Sequence, residues 1–306
     1  MKYRILGDIH GRTNWQKLIN TEETDITYIF LGDFTDPYYG WEKGVTYEQM
    51  IQQINKIFEL KKKSPNNIII LAGNHDNQYW IKKNDSNRFD WSHVEEINKL
   101  FEDNKELFHG VAYSIGEKYI ISHAGVTWDW YQKNFKCSFK NNETSLKEIC
   151  DNINTLYNSS DEGKTKFTFR ECVSKLSDYY GTSSTHSPLW IRPESLWEYN
   201  LFGFDSGIIQ VVGHTPYETY KEEEKDYNGR ITTYGTVKRK ATDNEIEMGP
   251  NYYLLDGEDV CSLSINNSEH IDIILCDCLR TETACVEIND EDLSWKKNIN
   301  RLIKKT

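Results

Sequence analysis

Five short segments carry the residues that could do chemistry: Gly7-Asp8-Ile9-His10-Gly11, Gly32-Asp33-Phe34-Thr35-Asp36, Gly73-Asn74-His75-Asp76, Ser122-His123-Ala124-Gly125 and Gly213-His214-Thr215-Pro216. Carboxylate, imidazole and amide oxygen are the ligands that divalent metals of intermediate hardness accept, and a bridged metal pair needs one shared carboxylate and an open position for water. Asp8 and His10 stand two residues apart, so on an extended strand end they would point the same way and hold one ion together. Asp33 is the natural bridge, and Asn74, His123 and His214 can complete a second site. Taken alone, each segment is a weak signal, because Gly-Asp after a strand is commonly a turn whose Asp caps the next helix. Five in order, each at the end of an apolar run, carry the reading.

Those apolar runs are the elements that must position the ligands. Tyr3 to Leu6, Ile26 to Leu31 and Ile68 to Leu71 are short and rich in β-branched and aromatic residues, which predicts three strands, each delivering a motif at its C-terminal end. Ligand sites of open α/β sheets lie beyond that end. Trp15 to Ile19 and Tyr47 to Leu60 show helical spacing between them, so the first third reads β-α-β-α-β. A helix over Val94 to Phe108 and two strands, Val111 to Ile115 and Tyr119 to Ile121, lead to His123, and a strand over Ile208 to Val212 leads to His214.

The stretch 126–189 turns polar and Asn/Ser/Lys-rich, with helical candidates at Leu146 to Leu156 and Phe169 to Tyr180, and reads as an insertion. Trp128, Trp130 and Tyr131 at its start could line a substrate pocket or pack the insertion on the core. The acidic run Glu222-Glu223-Glu224 with Asp226 reads as a solvated loop. Strand candidates at Tyr252 to Leu255, Val260 to Ile265, Ile271 to Leu275 and Ala284 to Ile288 suggest a second sheet, and Asp292 to Ile303 reads as a closing helix.

Composition sets the limits. Aromatic residues make up 13% of the 306 residues, far too much for a disordered chain. The net charge of −12 disfavours a protein that coats duplex nucleic acid, but two bound cations would invert the potential inside the site, so a phosphate substrate is allowed. The seven cysteines follow no zinc or disulfide spacing, and no apolar run reaches membrane-span length. The expectation is a cytoplasmic protein with reduced thiols and no membrane partner.

The five motifs together resemble the calcineurin-like metallophosphoesterase superfamily, and more narrowly its phosphoprotein phosphatase branch of bacterial or phage type, over residues 4 to about 216. The resemblance implies an α/β fold of two mixed β-sheets packed as a sandwich flanked by helices. The whole chain, 1–306, would form a single metallophosphoesterase domain, with 126–189 a partly helical, cap-like insertion. It also implies two divalent ions, manganese first with iron or zinc as alternatives, and a metal-bridging hydroxide that attacks phosphorus. His75 would protonate the leaving oxygen and Asp36 would orient it, with Asp76 a competitor for that place. Cations of this kind bring bound water to a pKa of about 7 at well-studied zinc sites.

One departure stands out. Phosphoprotein phosphatases continue the second motif as Asp-Arg-Gly, whereas this chain reads Asp36-Pro37-Tyr38-Tyr39-Gly40. The arginine that grips the phosphate in the family is missing from that place. Arg192 and Arg12, together with Asn74, are the expected phosphate contacts, with Arg88 a further candidate, because a guanidinium binds phosphate through a fork that lysine cannot copy. The expected substrate is a phosphomonoester, either a small molecule or a phosphoprotein. The alternatives are a nucleotide, a dinucleoside polyphosphate or an RNA end. A catalytically silent metal-binding interaction module is the reading from another class, and intact ligands beside His75 and Asp36 argue against it.

Overall fold

The computed structural model describes residues 1–37, 45–82, 88–135, 144–159, 183–192, 195–196, 201, 207–215, 224–225, 231–232, 237–239, 245–248, 252–255, 261–265, 271–275 and 284–299. Three parallel strands, β1 (Lys2–Leu6), β2 (Ile26–Phe30) and β3 (Ile68–Ile70), form one side of the first sheet. Between β2 and β3 lies α1 (Tyr47–Lys63), capped by the Thr46 side chain and ending in three lysines that suit the negative end of its dipole. After β3 come α2 (Asn74–Trp80) and α3 (Val94–Glu102), then β4 (Ala112–Ile115) and β5 (Tyr119–Ser122). The helices α4 (Trp128–Phe135) and α5 (Leu146–Asn158) precede β6 (Ile209–Val212).

The regular elements of the C-terminal third are all strands among the described residues: β7 (Glu224–Lys225), β8 (Ile231–Thr232), β9 (Val237–Arg239), β10 (Glu245–Met248), β11 (Tyr252–Leu255), β12 (Cys261–Ile265), β13 (Ile271–Leu275), β14 (Ala284–Asn289) and β15 (Trp295–Ile299). The first sheet runs β15-β14-β1-β2-β3 and the second β4-β5-β6-β13-β12-β11-β10-β9, with β7-β8 a separate pair. Both large sheets are mixed, since β14 returns antiparallel beside β1 while β5, β6 and β13 run parallel.

The two sheets pack on each other. Ile5, Ile29, Leu31 and Ile69 of the first share one cluster with Tyr119, Ile121, Ile209, Val211 and Ile274 of the second. The opposite side chains of the same strands, Leu6, Tyr28, Phe30 and Ile70, pack under helices through Ile54, Ile57, Phe58, Ile97 and Phe101. That double burial explains why β2 and β3 read as near-continuous apolar runs, whereas β1 is fully buried only at Ile5 and Leu6 and carries the ion-paired Arg4. The chain is thus mixed α/β with two mixed sheets and flanking helices.

A single buried amide fastens α5 to the edge strand β4. Asn154 Oδ1 accepts from the backbone N–H of Val111 (2.9 Å) and Ala112 (3.0 Å), and its Nδ2 donates to the Ala112 carbonyl at 2.8 Å. Asn154→Ala would leave those backbone groups buried and unpaired, at about 1–3 kcal/mol each. We expect a lower midpoint in thermal or urea unfolding; an unchanged midpoint would show that water takes over these bonds.

Four local expectations are corrected. In place of the closing helix expected over 292–303, the described residues form a turn leading into the strand β15, paired antiparallel with β14 from Ala284↔Ile299 to Ile288↔Trp295, while 300–303 lie outside the described residues. Trp295, Ile299, Leu302 and Ile303 match a helical template, but the residues before them make a turn. Ser294 N–H donates to Asp292 Oδ1 at 3.0 Å, the Leu293 carbonyl accepts from Lys118 Nζ at 3.0 Å, and a hairpin wins over the helix. Trp15 to Ile19 gives only a tight 3-10 turn over Asn14–Lys17, too short to continue as an α-helix. The helix after Trp91 stops at Glu102 and is followed by a second 3-10 turn. Glu224, read as loop, lies in β7. Of the two roles open to Trp130 and Tyr131, burial in the core favours packing of α4. The helix expected over Phe169 to Tyr180 lies outside the described residues. Among the described residues no helix is long and apolar enough to cross a membrane.

Candidate active site

Each motif follows the C-terminal end of a strand, the third running straight into the first turn of α2, and backbone hydrogen bonds lock these segments together. The N–H groups of Ile9 and His10 both donate to the Asp33 carbonyl, at 3.1 and 2.7 Å, and Gly213 N–H donates to the His123 carbonyl at 2.8 Å. Gly32, at φ +102°, lies so close to Gly73 that a Cβ would collide with backbone, and a Cβ on Gly73 would strike the Asp33 carboxylate. Gly73→Ala is therefore expected to destabilise the fold by about 1–3 kcal/mol and to displace Asp33. A lowered thermal midpoint together with weakened metal uptake checks this; wild-type values for both would refute it.

His10, Asp33, Asp36, Arg88 and His214 all adopt left-handed backbone angles, with φ between +45° and +70°. Such strain in non-glycine residues gathers at functional sites. It also corrects one inference: β1 ends at Leu6, and Asp8 and His10 converge through a left-handed turn, not through strand alternation.

Two ligand groups result, Asp8-His10-Asp33 and Asp33-His123-His214, each with its ligand atoms within 4.8 Å of one another and all side chains buried. Asp33 belongs to both. Its Oδ2 lies 3.7 Å from His10 Nε2, and its Oδ1 lies 3.5 Å from His123 Nε2. Burial also lowers the basicity of His10, His123 and His214, so each imidazole carries one proton.

Where that proton sits follows from the backbone. His10 Nδ1 faces the Thr35 carbonyl (2.6 Å), His123 Nδ1 the Leu31 carbonyl (2.9 Å) and His214 Nε2 the Trp190 carbonyl (3.2 Å). A carbonyl only accepts, so the other nitrogen of each ring carries a lone pair directed into the site. Asn74 Oδ1 lies 2.9 Å from both His123 Nε2 and His214 Nδ1, an approach of acceptors on acceptors that a cation would resolve. The donor set therefore fits a divalent metal pair.

Beside these groups stands His75. Its Nδ1 is 2.6 Å from Asp36 Oδ2, and Asp36 also accepts from Gln78 Nε2 and the Tyr79 hydroxyl. Asp76 does not compete: its oxygens accept from the backbone N–H of Phe34 (2.9 Å) and Gly73 (3.0 Å), which ties the second motif to the start of α2. Burial pushes His75 down to about 3 and the Asp36 carboxyl well up.

Three arginines flank the site. Arg12 Nη1 donates to the Asp8 carbonyl at 2.9 Å, and Arg192 Nη1 donates to the His214 carbonyl at 3.1 Å and Thr215 Oγ1 at 3.0 Å. Arg88 bonds the His75–Asp36 pair itself, with Nη1 on the Asp36 carbonyl at 2.6 Å and Nη2 3.0 Å from His75 Nε2.

A family model described as calcineurin-like phosphoesterase matches residues 1–218. The chain belongs to the calcineurin-like phosphoesterase family. Among solved structures, this phosphoesterase is similar to a protein serine/threonine phosphatase from Saccharomyces cerevisiae with similarity to human phosphatase PP5. The identity is 20%, the TM-score 0.31, and the match covers 49% of this chain and 48% of that one. The phosphoesterase thus spans about half the length of that relative. It is also similar to a hypothetical protein from Pyrococcus horikoshii OT3, at 9% identity and a TM-score of 0.35, covering 97% of this chain and 87% of that one. No curated protein sequence gives a significant match.

The structure of this phosphoesterase brings together every residue that the motifs nominate. It adds Gln78 and Tyr79, which sequence reasoning missed although they stand three and four residues after His75, on one helix face. The carbonyls of Thr35, Leu31 and Trp190 carry no side-chain signal and only coordinates could find them.

Proposed function

We propose that this phosphoesterase hydrolyses phosphomonoesters with two divalent ions, with His75 as general acid and the phosphoprotein phosphatase branch as its functional counterpart. The observation that carries this reading is the 2.6 Å His75–Asp36 pair beside two ligand groups that share Asp33. Asp8, His10 and Asp33 would hold one ion, and Asp33, Asn74, His123 and His214 the other. Manganese is our first choice, and this nitrogen and oxygen set also suits iron or zinc. When bound, the ions would activate water and stabilise charge on the attacking and leaving oxygens.

The chain's own residues do the rest. To act as the acid, His75 would carry a proton on each ring nitrogen, with Asp36 holding Nδ1, Arg88 turned from Nε2 onto the phosphate, and Nε2 giving its proton to the leaving oxygen. Asn74 Nδ2 is buried without a hydrogen-bond partner and is placed to donate to a phosphate oxygen. We read the chain as a cytoplasmic, single-domain enzyme with 126–189 inserted; Ala124 N–H donates to the Pro188 carbonyl at 2.7 Å, so the two ends of that segment meet.

Initial rates of the manganese-loaded protein on p-nitrophenyl phosphate, bis-p-nitrophenyl phosphate, a phosphopeptide and a nucleotide panel test this. Faster turnover of monoesters, lost on chelation, is expected. Tight metal binding with no turnover on any ester would favour the interaction module instead.

Among the arginines, Arg88 is our choice for the phosphate clamp, because its guanidinium lies against the atom that must deliver the proton. Arg88→Ala should raise KM by about 10- to 100-fold, the value of a hydrogen bond to a charged group. Arg12→Ala and Arg192→Ala should cost less, since both arginines hold the backbone of metal-site loops. An equal or larger KM effect at Arg192 would return the clamp to the position first expected.

A further inference from the structure

We infer that Tyr79 is a positioning residue for the acid: its hydroxyl, with Gln78 Nε2, fixes the Asp36 carboxylate that orients His75, so proton delivery depends on one face of α2. This rests on the reading of His75 as general acid. His75, Gln78 and Tyr79 occupy positions i, i+3 and i+4 of α2 and are all buried. Asp36 Oδ2 accepts from His75 Nδ1 and Gln78 Nε2, and Oδ1 accepts from Tyr79. Three donors from a single helix face therefore meet one carboxylate.

The direction of the tyrosine bond is fixed. A phenol has one proton, and the Tyr79 oxygen already accepts the backbone N–H of Asp90 at 2.9 Å. Its proton must then go to Asp36 Oδ1. The ring cannot swing away, because Phe89 stacks on it with centroids 4.7 Å apart at 25°. A buried hydroxyl is costly unless bonded, and phenylalanine would fill the same volume. What the hydroxyl adds is the hold on Asp36 and an acceptor for the Asp90 N–H, and of the two only the first reaches the acid. Asp36 follows its motif in a left-handed turn at φ +57°, where its own loop supplies no side-chain donor among the described residues, so the orientation of the carboxylate comes from α2.

Leaving-group dependence separates positioning from general structural support. Phenyl phosphate needs a proton on its departing oxygen, whereas 2,4-dinitrophenyl phosphate departs without one. In the full-length, metal-loaded protein, Tyr79→Phe should lower kcat on phenyl phosphate by about 10- to 30-fold and on 2,4-dinitrophenyl phosphate by no more than about threefold, with KM steady. Gln78→Met should show the same split, and it decides alone if the Tyr79 variant does not fold. Equal losses on both esters, or no loss on phenyl phosphate, would overturn the proposal. His75→Ala is the reference. If it shows a large split and Tyr79→Phe and Gln78→Met show none, the positioning role fails while the acid stands; if His75→Ala shows no split, the acid reading fails and this inference with it.

Discussion

Asp33→Asn is expected to lower turnover by at least about 10³-fold, equivalent to roughly 4 kcal/mol of transition-state stabilisation. Asparagine keeps the shape but loses the charge and one oxygen. In the wild type each oxygen of Asp33 faces a different ligand group, and Oδ1 also accepts the His75 N–H at 2.9 Å. The variant should therefore bind one ion or none by elemental analysis, where the parent binds two. The fold should not suffer, because burial already raises the Asp33 pKa and the metal-free protein gains little from the charge. Thermal unfolding of both proteins in chelator should give similar midpoints. Activity within tenfold of the parent would show that Asp33 is not the shared ligand.

His75→Ala should lower kcat by about 10²- to 10⁴-fold on an alkyl phosphomonoester, the usual contribution of a general acid. Metal content should stay at the parental value, since the ring belongs to neither ligand group and is bound through Nδ1 to Asp36. That combination, full metal with little turnover, is what distinguishes an acid from a ligand. Loss of an ion along with activity would instead place His75 in the coordination sphere and leave the leaving oxygen without a proton donor among the motif residues.

The legible part of this chain was its parallel N-terminal half. The strands β2 and β3 are buried throughout and β1 at Ile5 and Leu6, and each leads into Gly-Asp or Gly-Asn, so hydrophobic runs and ligand types fell in register along the sequence. The candidate ligands Asp8, His10, Asp33, Asn74, His123 and His214 could be nominated because each stands just after such a run. The direction of approach could not: His10 and His214 reach the site through left-handed backbone, which no spacing rule reports. The resemblance pointed to Asp36 with Asp76 as a competitor, and only the backbone N–H groups of Phe34 and Gly73 assign Asp76 to loop tethering. The C-terminal third misled for a different reason. Trp295 and Ile299 fit a helix and a strand alike, and the choice was made by pairing with β14, a partner set by tertiary structure.

The left-handed residues also set a conflict for laboratory selection. An L-residue in that conformation costs about 1–2 kcal/mol, so His10, Asp33, Asp36, Arg88 and His214 together hold strain on the scale of a domain's whole net stability, about 5–15 kcal/mol. Glycine or asparagine relieves such strain. A screen that rewarded heat resistance alone would therefore enrich substitutions at these five positions, and its most stable survivors would be folded proteins without a catalytic centre.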